Sequence, residues 1–396
     1  MIRKQTFLND IRHLWFEIAF IVWVIADVSA FFIYELELGN HFVVSLVKGV
    51  IVFLFGLYVF SSVRKSRVLI TYSFLVISWF IGNIYSFSII SDSTVVFKNF
   101  IFFVKFNLLF VIVFAGVKYY SKRCSIDKFY NLVDFLFLLH AIIAILGFVF
   151  QVDFLKSYSG NRFGYTSFVV WANDAASLLL IGVLYFYVTW YRNSSRIIAI
   201  KLFTLLFAFV LIGSKSTLIV GSVISFSILN KLIKDHRVGV KIMFYGGILL
   251  LILSFLYLVD YFSFYEQTYQ ELGLLNMLSS IRYEKLVEVS TFILSEYSVA
   301  SYLFGTIDFY RYHCESDVVD VFLLLGFVGG AIYIYIGFMG MKLLNNKMAV
   351  FVLGNILLLS TFAGHFLYNT IIPFYFCALY LRLTENITFH LGKEAV

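Results

Sequence analysis

The sequence predicts an all-α, polytopic integral membrane protein of about 12 transmembrane helices with one large external loop bearing amphipathic helices. Three observations predict it. Hydrophobic residues make up 61% of the chain and charged residues 13%, with a mean hydropathy of +0.92, more apolar surface than a water-soluble core can hide. About a dozen apolar stretches approach or exceed the length a helix needs to cross a ~30 Å hydrocarbon core. Lys and Arg, finally, recur in every second connection, as short loops kept in the cytoplasm require.

The apolar stretches run roughly 14–34, 41–62, 68–90, 95–117, 129–150, 168–190, 197–213, 217–230, 242–260, 317–341, 348–366 and 368–383. They divide the chain into nine spans (1–259), a long polar external loop (260–316), and three further spans with a cytoplasmic tail (317–396). The basic connections hold Arg3, Lys4 and Arg12; Arg64, Lys65 and Arg67; Lys118, Lys122, Arg123 and Lys128; Arg192, Arg196 and Lys201; and Lys231, Lys234, Arg237 and Lys241. Lys342 and Lys347, then Arg382 and Lys393, complete the series, whereas the intervening connections carry Glu35, Glu37 and Asp92. Twelve spans with both termini cytoplasmic satisfy this alternation. The net charge of +7 is spread over these loops, so it implies no nucleic-acid partner. The first stretch lacks a small-residue cleavage site, so no cleavable signal peptide is expected. Cys124, Cys314 and Cys377 form no same-side pair, which argues against a disulfide or a cysteine metal site. Pro373, the single proline, interrupts the last span; the scarcity of breaks favours a static scaffold over a rocking transporter.

Several positions break membrane rules. The hairpin Gly213-Ser214-Lys215-Ser216-Thr217 precedes an arm, Leu218 to Asn230, of about 14 residues, too short to span. Lys215 beside the Ser214, Ser216 and Thr217 hydroxyls suits a phosphate or diphosphate in a cavity; a tight turn with a snorkelling Lys is the other reading. A nucleotide-binding P-loop is excluded, since neither its leading Gly nor a preceding strand is present. Lys98 and Lys105 share a face of the fourth span; Lys98 suits an interfacial anchor, and Lys105 equally an anchor or a cation facing a cavity. Lys48 stands in the outer third of the second span. The loop 151–167 offers Arg162, and Asn173-Asp174 lies about one turn into the sixth span, where a polar pair needs partners.

In the long loop, Met277, Leu278, Ile281, Leu286, Val289, Phe292 and Ile293 have near-helical spacing, predicting one amphipathic helix over 277–294. Arg282 and Lys285 fall on its polar side; a guanidinium can grip a phosphate with two donors, while Lys285 is expected to pair with Glu288 or to be solvated. Arg311, His313, Glu315, Asp317 and Asp320 crowd the start of the tenth span. Asp317 and Asp320 suit a helix cap and first-turn acid; His313 and Glu315 are free for general-base work on a hydroxyl. No second His or Cys has zinc-ligand spacing.

The ordered set comprises the Gly213–Thr217 hairpin, the Arg162-x-Gly164 loop leading to Asn173, and a large late loop. That loop ends in Leu303-Phe304-Gly305, His313, Glu315 and Asp317, ahead of the glycines Gly326, Gly329 and Gly330. This set resembles the O-antigen polymerase (Wzy-type) family within the O-antigen ligase and polymerase superfamily. The topological likeness covers nearly the whole chain and the motifs about a fifth of it. The paired Arg-x10-Gly motifs of some members are absent: Asn173 and Ile293 stand eleven residues after Arg162 and Arg282. Arginine roles are therefore carried over on loop placement alone.

The resemblance implies a GT-C-type glycosyltransferase in the bacterial inner membrane with a periplasmic active site. It would join undecaprenyl-diphosphate-linked oligosaccharide units without a metal or other cofactor, alongside a chain-length regulator. It implies catalytic roles for His313, Glu315 and Arg282. Contacts to substrate or diphosphate would come from Arg162, Lys215, Ser214, Ser216, Lys105, Arg311, Asn173, Asp174 and Asp317. A ligase delivering polysaccharide to lipid A-core, and a lipid-linked oligosaccharide flippase, remain open alternatives.

Overall fold

A computed structural model describes residues 14–39, 42–61, 67–90, 92–121, 126–158, 162–234, 263–279, 282–305, 308–342 and 347–394. The stretch expected at 242–260 lies outside the described residues. Those described are mostly helical, with one isolated antiparallel bridge between Lys156 and Tyr165. In order the helices are α1 Trp15–Glu35, α2 Phe42–Phe60, α3 Arg67–Ile90, α4 Ser93–Ser121, α5 Asp127–Val149, α6 Ala172–Asn193, α7 Arg196–Leu211 and α8 Lys215–Lys234. The large loop contributes α9 Ser263–Ser279, α10 Arg282–Glu296, α11 Val299–Phe304 and α12 Phe309–Tyr312; α13 Asp317–Lys342, α14 Lys347–Phe362 and α15 Pro373–Glu394 follow.

Among the described residues seven helices are long and apolar enough to cross a membrane: α1, α2, the 70–88 part of α3, α4, α5, α6 and the 317–339 part of α13. The other described stretches became α7, α8, α14 and α15, which are shorter or carry more polar residues. Lipid-facing surface is plain on α2, where Phe42, Val43, Leu46, Val50, Phe53, Leu54 and Leu57 are all exposed. At the opposite extreme, α6 is buried almost all round. Lipid tails offer no hydrophobic gain for helix association, so close packing must hold α6 in place. Gly182 allows this: a β-carbon there would press on Phe137 and Leu205.

Two apolar clusters result. One gathers α1, α2, α5, α6, α7, α8, α14 and α15 with the C-terminal half of α4. The other joins α3, α13 and the Phe103–Phe106 part of α4 to Val289, Phe309 and Tyr368. The large loop is thereby pinned to the bundle.

Four expectations need correction. α8 extends over 20 residues, about 30 Å, so the hairpin arm is not short; its ends, Lys215-Ser216-Thr217 and Lys231–Lys234, are helical though polar. Residues 277–294 do not form one helix, since Met277 ends up in α9 and Val289 in α10. Pro373 does not interrupt a helix but opens α15, where its missing N–H costs nothing. Breaks are also less scarce than proline suggested. Gly326 kinks α13 at φ +65°, and residues 363–372 leave the helical path while staying mostly buried. Irregular backbone at such depth is tolerated where protein or a cavity surrounds it.

Candidate functional site

Two backbone loops build the first grouping. Gly213 (φ +76°) and Gly164 (φ +158°) lie back to back: a β-carbon on either would collide with the other loop's carbonyl, from Phe163 or Ile212. The Tyr165 N–H donates to the Leu211 carbonyl at 2.8 Å, and the Ser157 N–H to that of Gly164 at 2.9 Å. This register brings Arg162, stacked 3.5 Å over the Tyr158 ring, near enough for its charge to act on the Lys215 ammonium. Two cationic side chains within electrostatic reach of one another make the local potential positive, which favours an anion. The hydroxyls have a different task. Ser214 Oγ accepts from the Thr217 N–H at 3.2 Å and lies 2.9 Å from Ser216 Oγ, while the Thr217 hydroxyl donates to the Ser214 carbonyl at 2.7 Å. Ser214 is thus the cap of α8.

The second grouping lies at the start of α13, and that polar end of the bundle is called the mouth. His313 is half-buried, its Nδ1 lying 3.0 Å from the Tyr310 carbonyl oxygen. A carbonyl only accepts, so Nδ1 carries the proton and Nε2 is left as the acceptor. Burial, then the Lys285 charge, holds this imidazole below its usual range. Lys285 pairs with Glu315 at 3.1 Å rather than with Glu288 or solvent; 30 residues separate the partners. Asp317 and Asp320 are fully buried. Asp317 Oδ2 accepts the Phe366 and Leu367 N–H groups at 2.8 and 3.2 Å, and Asp320 Oδ1 accepts that of Cys314 at 2.6 Å. Asp317 therefore ties down the 363–372 segment instead of capping its own helix. Burial, then Asp320, pushes the Cys314 thiol up to about 12, which leaves it unreactive.

An aromatic wall leads inward from the mouth. Phe102 has its ring 6.1 Å from His313 and 5.7 Å from Tyr368, and it carries the Lys105 ammonium at 5.0 Å. Lys98 sits 4.2 Å over Tyr310. Lys105 is opposed by Asp174. Behind them Lys48 is ion-paired with Asp27 and donates to the Thr370 hydroxyl at 3.2 Å. The Trp23 indole donates to the Thr370 carbonyl at 2.7 Å, and the Asn369 amide reaches the Asp174 carbonyl at 3.5 Å. The 363–372 segment thus links the mouth to intramembrane charges. Sequence reasoning passed over Asp27, Tyr368 and Thr370. Asp27 could have been found, as a lone acid inside an apolar stretch.

Asn173 is half-buried on the first turn of α6, its carbonyl accepting from Ser177 at 3.0 Å. Arg311 is exposed, 5.2 Å over the Tyr312 ring. Arg282 opens α10; its side chain lies outside the described residues. No family model, curated protein or solved structure matches this chain.

Proposed function

We propose that the chain is a membrane glycosyltransferase of the O-antigen polymerase type, joining undecaprenyl-diphosphate-linked oligosaccharide units at the periplasmic face of the bacterial inner membrane. The observation that carries this reading is the Gly164–Gly213 contact, which joins the loops of Arg162 and Lys215 and leaves the two charges within electrostatic reach of one another. In the proposed reaction an acceptor hydroxyl attacks the anomeric carbon of the donor. The bond from that carbon to the diphosphate oxygen breaks with its electron pair. Arg162 and Lys215 neutralise the charge that builds on the leaving diphosphate, and the hydroxyl proton passes to His313 Nε2. Arg282 is a further candidate clamp, and the Lys285–Glu315 pair borders the base.

Arg162→Ala and Gly213→Ala should lose polymerisation at normal membrane levels, while Gly221→Ala, whose β-carbon would meet only ordinary contacts, should retain it. Wild-type chain lengths in Arg162→Ala would remove the anion role. A flippase is the second reading, favoured by the Asp27–Lys48 pair inside the spans and the break at Gly326. Lipopolysaccharide from a deletion strain separates the outcomes. One repeat on core indicates a polymerase, bare core a ligase, and loss of every exported unit a flippase.

A further inference from the structure

Tyr368 lies on the non-helical 363–372 segment, 6% exposed, with its ring packed 5.1 Å from Phe106 and 4.9 Å from His365. Its hydroxyl has no hydrogen-bond partner among the described residues. The same holds for Asp317 Oδ1 and Asp320 Oδ2, whose other oxygens are engaged by backbone N–H groups. These carboxylates, with Glu315 and Asp174, act electrostatically on the Tyr368 hydroxyl. Buried polar atoms in folded proteins are nearly always satisfied, so a set of them in one neighbourhood calls for a ligand or ordered water.

The donor and acceptor pattern narrows the ligand. An ordinary phenol keeps its proton at neutral pH and both donates and accepts. A carboxyl oxygen accepts when ionised and can donate when protonated. A phosphate would find no cation hydrogen-bonded at these three atoms, none of which has a partner among the described residues. No group of three or more His, Cys, Asp or Glu side chains among the described residues is arranged to hold a metal ion. Sugar hydroxyls, each with one donor and two acceptor lone pairs, suit such a set: they donate to the carboxyl oxygens and accept from the phenol, with the Phe102 and Tyr368 rings alongside.

We propose that Tyr368, Asp317 and Asp320 form a sugar-hydroxyl subsite beneath the His313 mouth, separate in chemistry from the cationic Arg162–Lys215 site. This assignment rests on the glycosyltransferase reading. It divides the work: the cations take the diphosphate, and the phenol with the two acids takes the glycan.

The test uses the full chain in nanodiscs and two probes, undecaprenyl diphosphate alone and the same carrier bearing an oligosaccharide repeat. Tyr368→Phe removes one oxygen and keeps the ring packing. Binding of the glycosylated carrier should weaken about 10-fold, the usual effect of one lost hydrogen bond, with binding of the bare carrier unchanged. Equal binding of the glycosylated carrier by wild type and Tyr368→Phe would overturn the subsite and mean that water alone satisfies these atoms. An equal loss for both probes would overturn it too, since the contact would not be to sugar. If wild type binds the bare carrier as tightly as the glycosylated one, the subsite falls while the diphosphate reading stands. If it binds neither, both fall.

Discussion

Burial and the charge of Lys285, held 3.1 Å from Glu315, keep the His313 imidazole below its usual range. The fold therefore keeps a neutral ring. Its contribution to stability is present above the unfolded value of ~6.5 and is lost as pH falls through that value toward the lower folded one. Activity that needs the neutral base should hold through pH 6.5 and decline only at lower pH. Lys285→Ala removes a repelling cation and should move this acid limb up, whereas Glu315→Gln removes an attracting anion and should move it down. His313→Ala should leave trace activity, about 10²–10⁴-fold reduced, with no such limb. A limb unmoved by either charge change would take the base role away from His313. At this scale, Lys105 and Asp174 were legible because charges inside apolar stretches need partners. The Lys285–Glu315 pair was not, since its members meet only through the packing of Val289 and Phe309 into one cluster.

Local close approaches decide the behaviour of whole elements. Gly305 and Gly326 lie backbone to backbone, with φ of +82° and +65°, and a β-carbon on either would collide with the other's segment. This contact docks α11 against α13 and fixes the kink within α13. Gly326→Ala and Gly305→Ala should each cost at least about 1–3 kcal/mol from the left-handed backbone alone, seen as a lower thermal midpoint in detergent. Gly337→Ala, with open space at its β-carbon, should be neutral or slightly stabilising. An unchanged midpoint in Gly326→Ala would mean that the kink is not enforced by this contact. Most described elements were legible as apolar runs, with boundaries within a few residues. What apolar runs could not reveal was Gly326 as a break, because a glycine inside a hydrophobic stretch looks the same whether helical or not. Nor could they reveal that 363–372 is irregular. Its His365, Asn369 and Thr370 are polar, but the Asp317 carboxylate that holds the segment lies about 50 residues earlier in the chain.

Across the whole molecule the sign of each connection sets the sidedness on which every proposed role depends. Helices α4, α10, α12 and α13 meet in one aromatic and aliphatic cluster, so His313, Glu315 and Lys285 share whichever side the large loop takes. The charge pattern predicts the same side for the Arg162 loop: it joins α5 to α6, and both its neighbouring connections are basic. Reporters fused after Glu37, Ser93, Ser159 and Tyr283 should therefore report the periplasm. Those fused after Lys65, Lys122, Asn193, Lys234 and Asn345 should report the cytoplasm. The measurement is demanding because α8 extends over 20 residues. If the α7–α8 hairpin spans fully, a fusion at Lys215 reports outside, whereas a re-entrant hairpin leaves it silent. A cytoplasmic signal at Tyr283 would place every proposed catalytic group in the wrong compartment for an exported lipid-linked glycan. A periplasmic signal at Ser159 and Tyr283 together puts the Arg162 cation and the His313 base on one face. A single transfer reaction needs that placement, since the diphosphate leaves from the carbon that the deprotonated hydroxyl attacks.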